Sequence, residues 1–77
     1  MQKLLSELNP NEVGIITKIN LDDNQYFRLL NLGFQPKMKI KCCFKSPFGD
    51  PIAYQVKGTI LAIRCEMAQN IEAEVYE

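Results

Sequence analysis

A chain of 77 residues supplies one domain at most, near the lower size limit for a hydrophobic core that stands alone. With 47% apolar and 23% charged residues it is too apolar for a disordered segment and ordinary for a globular one. Nine Lys and Arg cancel nine Asp and Glu, which removes the general attraction to a nucleic-acid backbone, and a domain this small has little surplus stability with which to hold a strained catalytic cleft.

No apolar run reaches the ~20 residues needed to cross a bilayer, and the opening MQKLLSELNPNE meets polar residues and Pro10 too early for a secretory segment. A cytoplasmic protein without direct membrane insertion is therefore expected. Three cysteines, Cys42, Cys43 and Cys65, are an odd number in a small chain and fit free thiols in a reducing compartment.

In chain order, Leu4, Leu5 and Leu8 have helical spacing and Asn9-Pro10-Asn11 closes a short helical turn. The β-branched run from Glu12 to Ile19 reads as a strand with Val13, Ile15, Thr17 and Ile19 on its inner face and Gly14 marking a bend. The period then changes. Asp22 or Asp23 caps a three-turn helix ending near Leu32, Gly33 stops it, and Phe27, Leu29 and Leu30 are expected to pack on Val13, Ile15, Ile40 and Val56.

From Lys37 to Phe44 alternation puts Met38, Ile40, Cys42 and Phe44 inward and Lys37, Lys39, Lys41 and Cys43 outward. Ile52, Tyr54 and Val56 repeat the inward pattern, so the two strands form an antiparallel hairpin around the Lys45 to Pro51 connection. Lys57-Gly58 turns the chain into the apolar run TILAI, with Leu61 and Ile63 inward; Arg64 to Asn70 gives another helical turn, and IEAEVYE closes as a strand with Ile71, Ala73 and Val75 inward. About five short strands, one inserted helix and one or two helical turns are too few for a sandwich but enough to curl into a small SH3-like barrel, a single mostly β domain over 1–77.

Four blocks, LSEL at Leu5 to Leu8, RLLNLGF at Arg28 to Phe34, PFGDPI at Pro47 to Ile52 and VKGTILAIR at Val56 to Arg64, together resemble the FeoA family, small cytoplasmic proteins that accompany the bacterial ferrous iron transporter FeoB. The resemblance runs nearly end to end and implies an SH3-like barrel and an accessory role. Two departures stand out: Asn11 replaces the family's usual glycine, a position asparagine can fill at positive φ, and CEMAQN after Arg64 is more apolar than usual.

For chemistry the chain is poor. It has no His, no Gly-x-Ser-x-Gly and no phosphate-cradling glycine loop, so no catalytic, cofactor-binding or metal-binding residues are expected. Asp50 is read as a backbone acceptor that holds its turn. Adjacent Cys42 and Cys43 on a strand face opposite ways and do not share one ion without a bulge, with Cys43 the more exposed. The only arginines, Arg28 and Arg64, are expected in surface ion pairs.

Binding is the remaining role. Phe48 sits in a turn between Pro47 and Pro51; it either folds back over the end of the core or points outward, and the flanking prolines stiffen the turn and favour the outward position. The expected contact residues are Pro47, Phe48, Gly49, Asp50 and Arg64, and the resemblance implies the cytoplasmic part of a FeoB-type GTPase transporter as partner, with its nucleotide cycle or assembly tuned; weak self-association is compatible. The alternative is a free-standing barrel that binds a metal, a peptide or single-stranded nucleic acid, the last through the Lys37 to Lys45 face.

Overall fold

The computed structural model describes residues 1–76. Its elements are β1 (Gln2–Leu4), a 3-10 turn (Leu5–Glu7), β2 (Val13–Ile19), α1 (Asp23–Asn31), β3 (Lys39–Lys45), β4 (Ile52–Val56), β5 (Thr59–Ile63), α2 (Cys65–Ala68) and β6 (Ile71–Val75). Every strand pairing is antiparallel, in the order β1-β6-β2-β3-β4-β5. The count among the described residues is six, one above expectation. The extra strand, β1, is three residues long with no alternation to betray it, and it exists because Gln2, Lys3 and Leu4 pair with Glu74, Ala73 and Glu72.

The sheet curls around one core, with Leu5, Leu8, Ile16, Leu29, Phe34, Ile40, Cys42, Ile52, Tyr54 and Ile71 all at 1% exposure or less. Strands β1 and β5 end the sheet and do not pair, so hydrogen bonding does not close the barrel. The gap is spanned instead from inside: the Tyr54 hydroxyl on β4 donates to the Leu5 carbonyl at 2.8 Å, tying the far end of the sheet to the turn after β1. The bond is buried, and the Leu5 carbonyl, which also accepts the Leu8 N–H at 3.2 Å, gives the phenol the partner that water cannot. The same burial pushes the Tyr54 phenol well above its ordinary range.

Several sequence expectations need correction. On β2 the inner face is Gly14 and Ile16, while Val13 and Ile15 lie half exposed opposite Lys41 and Lys39. The reason is a close approach: a Cβ on Gly14 would stand 2.9 Å from the Glu74 carbonyl oxygen of β6, so only glycine lets the two strands meet there. Gly14 thus marks a crossing of backbones, and the register shift between Ile16 and Lys18 supplies the bend.

On α1 the Asp22 carboxylate accepts from the Gln25 N–H at 2.8 Å, as an N-cap should. Gly33 at φ 99° ends the helix, with the Phe34 N–H on the Leu29 carbonyl at 2.8 Å and the Gly33 N–H on the Leu30 carbonyl at 3.0 Å. This is the paired bonding that a left-handed residue after the helix permits, and it buries Phe34 beside Leu29. Leu29 therefore joins Ile40 and Val56 in the core, but Phe27, expected inward, is 63% exposed, two positions away on the helix and so about 200° around it.

On β3, Ile40 and Cys42 face inward as expected, but Phe44 is 57% exposed. A register shift between Cys42 and Phe44 opposite β4 inserts one residue and turns Phe44 outward. On β4 Ile52, Tyr54 and Val56 are buried as expected, but the small Ala53, expected outward, is buried too; on β5 Ile63 is buried and Leu61 half buried against the core, and on β6 Ile71, Ala73 and Val75 are buried. Lys57 at φ 52° and Gly58 at φ 78° make the tight two-residue β4–β5 turn. Asn11 takes φ 75°, the left-handed conformation anticipated for it.

Candidate partner-binding surface

The β3–β4 connection is a braced turn. The Gly49 N–H donates to the Ser46 carbonyl at 2.7 Å, closing a four-residue turn with Pro47 and Phe48 at its centre. At its base the Ser46 hydroxyl and N–H both donate to the Pro51 carbonyl, at 2.7 and 3.2 Å. Phe48 is 96% exposed, so the outward position anticipated from the flanking prolines is the one adopted.

The turn is also pinned from the side. One carboxylate oxygen of Asp50 accepts the Cys65 N–H at 2.9 Å, and the Cys65 thiol donates to the Gly49 carbonyl at 2.9 Å. The expected role of Asp50, a backbone acceptor, is present, but the N–H it holds belongs to the start of α2 and not to its own turn. Short-range reasoning missed this bond because 15 residues separate the partners. Its effect is to set Arg64, which directly precedes α2, beside the Phe48 turn: of the expected contact residues, Gly49, Asp50 and the Arg64-Cys65 junction are brought together, while Pro47 and Phe48 stand at the exposed tip.

The surface carries two grooves, one beside this turn and one at the opposite end of the β3–β4 hairpin. One, of about 340 Å³, runs between α1 and the β5–α2 junction and is lined by Arg28, Leu29, Leu32, Ile63, Arg64, Glu66 and Met67 among others. Both arginines of the chain thus lie on one groove. The expected ion pairs are absent: among the described residues the salt bridges are Met1 with Glu74 and Lys3 with Glu12. The other groove, of about 410 Å³, lies on the outer face of β2, β3 and β4, where Lys39, Lys41 and Lys57 surround Val13 and Met38. Lys39 and Lys41 were legible as a lysine run, whereas Lys57 joins them only through the antiparallel pairing of β3 with β4.

The cysteines follow the strand geometry. Cys42 is buried on the inner face, where loss of solvent pushes its thiol up, and Cys43 is half exposed on the opposite side. Cys65 is half exposed and bonded to the Phe48 turn as described. All three are free thiols, and no group of three or more His, Cys, Asp or Glu among the described residues is placed to hold a metal ion. No helix among them is long and apolar enough to cross a membrane.

Comparison with known proteins adds the family. A comparison with curated proteins gives no significant match. Among solved structures, the chain is similar to an iron uptake regulatory protein, FeoA, at 29% identity and a TM-score of 0.87, over 99% of both chains. It is similar to the FeoA protein of Chlorobium tepidum at 28% identity and a TM-score of 0.91, covering 97% of this chain and 71% of that one. A third likeness is to the FeoA of Stenotrophomonas maltophilia, solved with zinc and described as a procaryotic SH3 domain protein and a candidate ferrous iron transport activating factor; identity is 28% and TM-score 0.77, over 96% of this chain and 89% of that one. The SH3-like fold expected from the strand pattern is thus the fold found. The FeoA domain family matches residues 3–75, nearly the whole length, and the chain belongs to the FeoA family.

Proposed function

We propose that this protein is a non-enzymatic, cytoplasmic accessory factor of ferrous iron uptake, a single domain that binds the cytoplasmic part of a FeoB-type transporter and tunes its nucleotide cycle or assembly. The observation that carries this reading is Phe48, a fully presented aromatic on a turn held by five hydrogen bonds and two flanking prolines. An aromatic on a pre-ordered turn loses little conformational freedom on docking, which is the property an interface anchor needs. Family membership supplies the transport context. The contact is formed by Pro47, Phe48, Gly49 and Asp50, with Arg64 beside them.

The reading is tested by iron uptake in cells that depend on FeoB. Deleting this protein lowers ferrous iron uptake, restoring the wild-type chain recovers it, and restoring Phe48→Ala does not; undiminished uptake in the deletion strain rules the role out.

A second reading rests on the lysine groove. Lys39, Lys41 and Lys57 around an apolar floor form a local basic site on a neutral protein, suited to an anionic partner such as single-stranded nucleic acid. A gel shift with an oligonucleotide that appears at low salt and vanishes with added salt supports it, and no shift at low salt removes it.

A further inference from the structure

The groove between α1 and the β5–α2 junction has the composition of a protein interface. Leu29 and Ile63 are buried at its base, Met67 is half exposed, and Leu32 at the end of α1 is 51% exposed. Arg28 from the helix and Arg64 from the strand end bring two guanidinium groups to this apolar patch, and neither has a carboxylate within ion-pair distance among the described residues. Glu66 lines the same groove without bonding either of them. Arginine and methionine are enriched where proteins dock, and arginine above all where a carboxylate is held in two-point contact.

We propose that this groove docks a short acidic segment of a partner protein, a large apolar side chain seated between Leu32 and Met67 and flanking carboxylates on Arg28 and Arg64. Charge complementarity selects this occupant: two unpaired cations beside an apolar floor match a segment that is acidic and apolar together, and they disfavour a basic or a wholly apolar one. A volume of about 340 Å³ lies at the small end of the range for binding pockets, enough for one anchoring side chain and too little to enclose a folded domain. The groove is continuous with the Phe48 turn through Arg64 and Cys65, so turn and groove form one surface, and the assignment rests on the adaptor reading given above.

The test uses the full-length chain, labelled with nitrogen-15, and the cytoplasmic part of the FeoB transporter. On titration the amide resonances of Arg28, Leu32 and residues 62–67 shift together with those of the Phe48 turn. Arg28→Gln and Arg64→Gln each weaken binding about tenfold with melting temperatures near wild type, since both side chains are exposed, and the double variant loses much of the salt dependence. Wild-type affinity in both arginine variants, with binding lost in Phe48→Ala, overturns the groove assignment and leaves the adaptor reading standing.

If the transporter fragment does not bind the wild-type chain, the adaptor reading fails and a fluorescein-labelled peptide alternating Glu with Leu and Phe decides the groove. Anisotropy that rises for wild type and not for the double arginine variant upholds the groove as an acidic-segment site; no rise for wild type overturns it.

Discussion

Replacing Phe48 by alanine separates a docking residue from a core residue, because the two roles predict opposite changes in two measurements. With the side chain 96% exposed, truncation removes almost no buried area, so the change in folding stability stays within about 0.5 kcal/mol. For a domain of this length that is a melting shift of about 4 °C at most. Docking buries the same ring against a partner, and full burial of a phenylalanine is worth about 1.5–3 kcal/mol. At about 1.4 kcal/mol per factor of ten, Phe48→Ala weakens partner binding about ten- to a hundredfold. Thermal melts followed by circular dichroism give the first quantity, and isothermal titration with the transporter's cytoplasmic part gives the second. A melting temperature lowered by more than 10 °C, or an unchanged Kd, refutes the reasoning.

Four further outcomes follow from the packing. Tyr54→Phe removes the hydroxyl's bond to the buried Leu5 carbonyl, which keeps the Leu8 N–H, and costs about 0.5–1.5 kcal/mol, read as a fall in melting temperature of about 4–8 °C per kcal/mol; an unchanged melt means the hydroxyl is not the strut across the sheet gap. Gly14→Ala forces a Cβ to 2.9 Å from the Glu74 oxygen and destabilises by about 1–3 kcal/mol in urea unfolding, whereas Gly58→Ala in the β4–β5 turn meets no neighbouring atom, so its cost comes from its positive φ alone. Asp50→Ala releases the Cys65 N–H, costing about 1 kcal/mol and weakening partner binding by loosening the Phe48 turn, while Asp50→Asn, which keeps an acceptor oxygen, retains most of both; equal losses in the two variants count against the bond. Glu12 accepts from the Asn9 N–H at 2.6 Å and from the Lys3 ammonium at 3.1 Å, which hold its carboxyl below the ordinary range. A depressed folded-state pKa means the stabilisation is present above the ordinary carboxylate pKa and is lost as pH falls through the lowered one, so Glu12→Gln flattens part of the acid fall in melting temperature and an identical acid limb contradicts this.

How far this fold was legible in its sequence depends on which interactions set each element. Where a strand is governed by its own alternation, as on β6, the buried face was read correctly, because one side chain in two faces the core; on β4 Ile52, Tyr54 and Val56 were read correctly, but Ala53, expected outward, is buried as well. The α1 termini were also legible, since Asp22 and Gly33 act on backbone groups within a few residues. The errors share another cause. The inner face of β2 is set by a backbone approach of Gly14 to Glu74 on β6, sixty residues away, and Phe44 is turned outward by a bulge whose partner strand lies across a turn. Strand β1 is created by its pairing alone.

The candidate site divides along the same line. Phe48 and its flanking prolines could be singled out because turn stiffness is a local property, whereas the bracing that makes the turn useful comes from Cys65, and the union of Arg28 with Arg64 and of Lys57 with Lys39 comes from the way the sheet curls. For a protein that works by docking this division has a physical consequence. The residue that would touch a partner can be exchanged with little effect on the core, while the residues that aim it, Asp50 and Cys65, are fixed by hydrogen bonds that continue the β4–β5 pairing beyond Ile52 and Ile63. Changes at Phe48 should therefore alter affinity alone, whereas changes at Asp50 should alter affinity and stability together.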